Sequence, residues 1–297
     1  MTRQSRTCPA RPSALTLLAS TALLVGSGVA LAEPGGRLLA TGGGSQIEGS
    51  AGGGLVPWAV LTGYATRDEI GVTAFATHVQ VDDFSLDSFG AGINLKNRVE
   101  LSVARQRFDL GEAGTDFGMP GLTIRQNIVG IKVRIAGDVI YTPWPQLAVG
   151  IQRKSALDAA IPDAVGALDH NGTDVYVSAS KLFLGAAAGR NLLVNAGLRS
   201  TSANQLGLLG FGGDQGGRRL VAEFSSATLL SQSLAVGFEY RQKPDNLGAA
   251  REDDFRDLFI AWFPNKHIST VLAYADLGSI ANRGQQRGWY FSVQASP

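Results

Sequence analysis

From residue 99 onward, apolar and polar positions alternate in short blocks. Val99, Leu101 and Val103 interleave with Glu100, Ser102 and Ala104, and Val129, Ile131, Val133 and Ile135 with Gly130, Lys132 and Arg134. Leu147, Val149 and Ile151 alternate with Ala148, Gly150 and Gln152, and Val175 and Val177 with Asp174, Tyr176 and Ser178. The pattern recurs at Val236, Phe238 and Tyr240 against Gly237, Glu239 and Arg241, and at Trp289, Phe291 and Val293 against Tyr290, Ser292 and Gln294. Successive side chains of a strand point to opposite faces, so this period of two predicts strands with one apolar and one polar side. Segments 55–66, 70–81, 84–95, 191–203, 218–230, 254–263 and 267–277 are strand-like with less distinct faces, making thirteen strands from residue 55.

The connections add a second rhythm. Short turns at 67–69, 96–98, 231–233 and 264–266 are interspersed with long connections at 109–121, 154–172, 204–217, 242–253 and 278–287; 82–83 is short where a long one is due. Tight turns at one end and long loops at the other are the habit of outer-membrane barrels. The pattern predicts an all-β transmembrane antiparallel β-barrel of 12 to 14 strands, with short periplasmic turns and longer external loops. Bacterial single-chain barrels have an even strand number. Residues 37–48 supply a fourteenth strand, or the Gly-rich N-terminus threads into the lumen as a plug and twelve strands close. Ser45-Gln46-Ile47-Glu48 has the spacing of a capping box that could start a short plug helix. A soluble periplasmic β-sandwich also alternates, but aromatics near strand ends (Trp58, Tyr64, Phe108, Tyr141, Trp144, Trp262, Phe263, Trp289, Tyr290) suit interfacial girdles of a barrel.

Upstream, residues 1–32 read as a cleaved signal peptide. Arg3, Arg6 and Arg11 precede the apolar run Leu15 to Val25, and Ala30-Leu31-Ala32 is a small-residue cleavage site. The expected organisation is this leader, a Gly-rich segment 33–54 serving as first strand or lumen plug, and a barrel over 55–297. Cleavage removes Cys8, the single cysteine, and three of 26 basic residues, leaving 23 against 25 acidic ones and a net charge of −2. That charge carries no electrostatic footprint for nucleic acid. After the leader no apolar stretch approaches the ~20 residues of a membrane helix. Export to the outer membrane of a Gram-negative bacterium is the expected localisation.

Two resemblances sharpen this. Gln286 to Val293 is similar to the C-terminal assembly signal of outer-membrane barrels (polar, any, Gly, any, any, aromatic, any, hydrophobic), although the chain ends Ala295-Ser296-Pro297 rather than on an aromatic. The resemblance implies the barrel-assembly machinery as a partner. Longer stretches resemble an uncharacterised family of Gram-negative proteins, domain of unknown function 3034. These include 36–43, 52–60, 66–71, 99–102, 105–110, Asn204 to Asp214, 243–247 and Trp262-Phe263-Pro264-Asn265-Lys266-His267. The family implies a single-domain outer-membrane protein and brings no known activity or site residues.

Candidate chemistry is sparse. His267 and Ser269 are two apart, a spacing that places a base and a nucleophile on one strand face, as in some outer-membrane lipid hydrolases; Asn282 and Asp276 are the nearby orienters. Yet 264–266 should be a periplasmic turn, opposite the leaflet such enzymes attack, so no enzyme activity is expected and hydrolysis is the minor alternative. His78 and His170 are isolated, which leaves no metal-ligand spacing and no expected cofactor. The polar face nominates Glu100, Lys132, Arg134, Asp174, Arg199, Glu223, Glu239 and Arg241 as lumen-lining. Their mixed sign suits cross-lumen salt bridges or weakly selective passage of small polar solutes. Leu206, Leu208, Leu209 and Phe211, in a glycine-dense loop, are candidates for a constriction. Arg105 and Arg107, near the external rim, can meet lipid phosphates, and the acidic runs 82–83 and 252–254 can bind cations there. Outer-membrane lipid and lipopolysaccharide are the expected surroundings. The leading functional expectation is a channel for small polar solutes; the alternative is a closed structural or lipid-interacting barrel.

Overall fold

In a computed structural model of the chain, the described residues are 36–116 and 118–297. The leader and the N-terminus expected at Glu33 lie outside them. Twelve strands form the wall: β1 (Ile70–Val81), β2 (Ser85–Leu95), β3 (Val99–Asp109), β4 (Thr123–Ala136), β5 (Gln146–Ala156) and β6 (Asn171–Ala187), then β7 (Arg190–Thr201), β8 (Arg219–Leu229), β9 (Leu234–Arg241), β10 (Phe255–Trp262), β11 (Ile268–Ile280) and β12 (Arg283–Ala295). Each pairs antiparallel with its neighbours, and β12 closes on β1 in the register Gly288↔Val81 to Ala295↔Ala74. Closure leaves no unpaired sheet edge, which hydrocarbon would not tolerate.

The alternation explains the wall. Along β3, Glu100, Ser102, Ala104, Gln106 and Phe108 are buried while Leu101, Val103, Arg105 and Arg107 are exposed. The outward residues are largely apolar and remain open, as at Val103 (51% exposed), Val129 (58%) and Leu258 (70%). A polar interior inside an apolar exterior is a lipid-facing barrel, and a sandwich core would be inverted.

One end of the barrel carries connections 96–98, 137–145, 188–189, 230–233 and 263–267; the other carries 82–84, 110–122, 157–170, 202–218, 242–254 and 281–282. The first end, where β1 begins and β12 finishes, is periplasmic by the short-turn rule. Two short helices, α1 (Gly111–Asp116) and α2 (Ala160–Ala164), lie in external connections.

Several expectations change. Segment 55–66 is not a wall strand; it lies inside the barrel with the rest of the N-terminal segment, and Pro57, which cannot donate to a central ladder, is the local reason. Residues 37–48 supply no fourteenth wall strand. Ser45 to Glu48 starts no helix: Gly44–Ser45 pairs with Ala51–Gly52 in a minimal hairpin, and Gly49 turns it at φ +100°. The loop expected at 278–287 shrinks to 281–282, because Ala281 and Asn282 both take positive φ (50° and 60°), a tight hairpin turn that lets both strands run on. The aromatic girdle is also thinner than expected. Tyr141, Trp144, Trp262 and Trp289 are exposed, whereas Phe108, Phe263 and Tyr290 point inward and Trp58 and Tyr64 belong to the interior segment.

Candidate functional site

The site is the lumen, and it is filled. Every residue from Gly42 to Ala65 is buried. The segment enters from the periplasmic end, reaches its tip near Gly49 against Ala104, and returns to that end, where Lys96 N donates to Glu69 O.

A folded-back segment with little regular structure buries backbone groups that must be paired. The wall supplies the partners. Glu100 accepts from Ala51 N (3.1 Å) and Thr62 N (2.8 Å), and Glu239 Oε2 accepts from Gly54 N and Leu55 N, both at 2.6 Å. Lys132 Nζ donates to Ala51 O and Trp58 O and pairs with Glu100 at 3.2 Å. Ser88 and Gln106 both donate to Ile47 O, Gln146 to Ala59 O, Asn195 to Pro57 O and Arg241 to Leu55 O. Polar lumen residues thus act as backbone receptors for the plug.

Glu48, on the plug, is the centre of an ion cluster. It pairs with Lys154, with Arg241 at 2.8 Å and with Arg199 at 3.8 Å. Arg199 also binds Glu223 (2.6 Å) and Asp174 (3.3 Å), and Lys154 binds Asp174 at 2.7 Å. Three carboxylates therefore face three cations, all buried. Opposite Glu239 in the register stands buried Asp257. Among the described residues, these two carboxylates have no ion pair.

The external mouth is closed by connection 202–218. Leu206, Leu208, Leu209 and Phe211 are all buried. Leu206 and Leu208 meet Ile47 and Leu55 of the plug and Phe84 and Phe108 around an apolar void of about 40 Å³. Phe211 packs over Gly172, where a Cβ would overlap its ring. At the periplasmic end an open vestibule of about 710 Å³ is floored by Trp58 and Val60 and walled by Leu182, Leu193 and Leu229.

Seven of the eight sequence-nominated lumen residues are thus buried in the interior. Arg134 is the exception: it is half-buried at the periplasmic rim and pairs with Asp138 at 3.0 Å in connection 137–145. Glu48, Lys154 and Asp257 escaped the sequence reading, and Gln152, placed on the polar face, was not nominated. Lys154 falls within the loop expected at 154–172, although the alternation Ala148, Gly150, Gln152 continues through it. Within the acidic runs, Asp82 accepts from Arg287 N and Asp253 from Ser279 N. His267 and Ser269 do not form a pair. His267 lies exposed in the turn, its Nδ1 3.1 Å from Ser296 O, while the Ser269 hydroxyl is buried without a hydrogen-bond partner.

A family model described as "Protein of unknown function (DUF3034)" matches residues 41–294. The chain belongs to that family. Because the match begins at Thr41, the DUF3034 unit comprises plug and wall together. No curated protein matches the chain. Among solved structures the DUF3034 barrel is similar to the KdgM porin (10% identity, 75% of this chain and 98% of that one, TM-score 0.49). It is also similar to the outer membrane protein Omp33 of Acinetobacter baumannii (9%, 77% and 99%, 0.45) and to outer membrane phospholipase A from Escherichia coli (8%, 80% and 94%, 0.40). At these values the likeness is one of general barrel architecture, and no role follows from it.

One latch of the DUF3034 barrel is titratable. Both carboxylate oxygens of Glu252 accept from Gln205 N at 2.9 Å, tying connection 242–254 to the mouth loop. Lys243 Nζ lies 3.3 Å from Glu252 and 3.9 Å from the Phe255 ring centre. Burial pushes the Glu252 carboxyl up to about 7 against the pull of Lys243, with Asp245 adding to the rise. Burial likewise lowers the Lys243 ammonium, against Glu252 and Asp254 and with Arg241. A carboxyl raised above its ordinary 4.5 favours the folded loop below that value and loses the contribution as pH rises through about 7. Limited proteolysis of the mouth loop should therefore be slower at pH 4.5 than at pH 7.5, and Glu252→Gln should abolish most of that difference. An unchanged pH dependence in the variant would remove Glu252 as its source.

Proposed function

We propose that the protein is a closed barrel of the Gram-negative outer membrane, whose resting state conducts no solute because its own N-terminal segment and mouth loop occupy the lumen. The observation that carries this reading is the uninterrupted burial of Gly42 to Ala65 within the wall. An open pore has a wet inner face. Here the inward side chains that a pore would offer to solute are spent on plug backbone and on Glu48.

A gated passage is the second reading, supported by the chemistry of the seam. The plug is held in part through hydrogen bonds and ion pairs, which water can replace, beside the apolar contacts of Ile47, Leu55, Val56, Trp58 and Val60, so a displaced plug would leave polar wall groups behind it. In planar bilayers the full chain should be silent, and a chain lacking 42–65, shown to be folded by heat-modifiable migration, should conduct. Steady conductance from the full chain would sink the closed resting state. Silence from the folded truncated chain would assign closure to the mouth loop and remove the gated-plug reading.

A further inference from the structure

On the outer wall, the apolar band of β3, β4 and β5 ends in a cluster of arginines. Above Val103 on β3 the next outward residues are Arg105 and Arg107; above Val129 on β4 they are Asn127 and Arg125; above Ile151 on β5 comes Arg153. All four arginines are exposed. Arg107 and Arg125 are direct cross-strand partners, as are Arg105 and Asn127. Residues so paired have Cβ atoms about 5 Å apart, and like charges there repel.

The carboxylates nearby do not balance them. Asp158, from connection 157–170, is held by Arg125 through Nε (3.0 Å) and Nη2 (2.8 Å). Asp87, the partner of Arg107 across the β2–β3 register, is held by His78 at 2.7 Å. Among the described residues, Arg153 donates only to the Thr173 hydroxyl, at 3.2 Å. Asp109, the next outward residue above Arg107 on β3, accepts from Gly111 N at 2.9 Å. Four guanidinium groups thus face three carboxylates, each already engaged, and among the described residues Arg107 has neither a hydrogen bond nor an ion pair from its side chain. By contrast, on β10 to β12 each of these arginines has an ion-pair partner, since Arg256 and Arg287 both bind Asp276 at 3.0 Å.

We propose that this β3–β5 face binds a phosphorylated glycolipid of the external leaflet, lipopolysaccharide through its lipid A phosphates. Position and charge select that occupant. The guanidinium row sits immediately above exposed Val103, Val129 and Ile151, so an occupant must present anions at the height where its acyl chains begin. Guanidinium forks match phosphate oxygens in paired hydrogen bonds and shed water more readily than ammonium. A phosphate between Arg107 and Arg125 removes the repulsion that the register imposes. Free phosphate supplies the anion but nothing for the apolar rows below.

The test is native mass spectrometry of the full chain in detergent, titrated with bisphosphorylated lipid A, with the same lipid after phosphate removal, and with inorganic phosphate. The intact protein should retain the bisphosphorylated lipid with a preference of about tenfold or more, the loss expected for one or two charge-assisted hydrogen bonds. Arg105→Gln with Arg107→Gln should erase the preference, and Arg256→Gln should keep it. Both are outward substitutions; if the double variant fails to migrate as a folded barrel, Arg153→Gln takes its place and should reduce the preference. Equal retention of the two lipids overturns the proposal, as does an unchanged preference in the Arg105→Gln/Arg107→Gln double variant or in its Arg153→Gln replacement. Displacement of the lipid by millimolar inorganic phosphate would reveal a simple anion site and overturn it too. None of these readouts depends on whether the lumen conducts.

Discussion

Glu48→Gln lowers the temperature at which the folded barrel is lost and opens a leak through the lumen. The substitution preserves side-chain size and removes one charge from a sealed cluster. Lys154, Arg199 and Arg241 are then left with Asp174 and Glu223, so a balanced set becomes one with an excess cation, in a place where Arg199 and Lys154 have no exposure. Breaking a buried ion pair from one side typically costs about 3–5 kcal/mol, because the remaining partner keeps its burial and loses its counter-charge. The distribution of that loss is what makes the experiment informative. The three cations belong to β5, β7 and β9 and are fixed by ladders that the substitution leaves intact, whereas Glu48 belongs to a plug held by scattered contacts. The plug yields first, and noisy current should appear in bilayers at temperatures where the wall still migrates as a barrel. Asp68→Asn, on the exposed turn before β1, should change neither quantity. Silence together with an unshifted melting temperature in Glu48→Gln would mean that the cluster does not hold the plug.

The wall was legible because its physics is local. A strand between lipid and lumen must alternate, so β3, β4 and β5 could be read from residues 99–104, 129–135 and 147–152 alone, and the inward positions among them identified Glu100 and Lys132 as interior; the same alternation around 174–178 identified Asp174. The plug was legible only as an alternative. Its residues are buried on all sides, which erases periodicity, and the stretch Leu55-Val56-Pro57-Trp58-Ala59-Val60 offers the apolar content of a strand without its backbone environment. Pro57 and the glycines of 52–54 were the available signals against a central strand. Glu48 was not readable at all. Its role depends on which wall residues surround the tip of a segment more than a hundred positions away from Lys154 and Arg199, and no local pattern encodes that. The mouth loop lay between these cases: the apolar residues at 206, 208, 209 and 211 signalled folding back, while the Glu252 latch required the observed approach of two connections.

The wall's own contacts explain how such a plug keeps its path without regular structure. Wall side chains stand in for the ladder that a strand would have had: carboxylates receive N–H groups, and Lys, Arg, Gln and Asn donate to carbonyls. The arrangement places strict demands on plug residues that face those side chains. Each backbone amide must come close enough for direct bonding, and a side chain in the way defeats the fit. The demand is greatest where, among the described residues, a carboxylate acceptor has no ion pair to hold it.

Gly53 is that place. A Cβ on Gly53 would overlap the Glu239 carboxylate, the acceptor for Gly54 N and Leu55 N. Gly53 does not take the left-handed φ that would itself bar alanine, so the effect of Gly53→Ala is one of space alone. The carboxylate has little freedom to step aside, because buried Asp257 stands opposite it in the register. Gly53→Ala should therefore uncouple two buried amides from their acceptor, at about 1–3 kcal/mol for each unsatisfied group, and should displace the plug much as the loss of Glu48 does. Gly217→Ala, where an added Cβ meets nothing within 4 Å, should be nearly neutral. A double-mutant cycle isolates the cause. Glu239→Ala alone already deprives the two amides of their acceptor, and it clears the space that a methyl group on residue 53 needs. Adding Gly53→Ala to that background should then cost almost nothing in melting temperature, whereas a full additional loss would place the clash somewhere other than the Glu239 carboxylate.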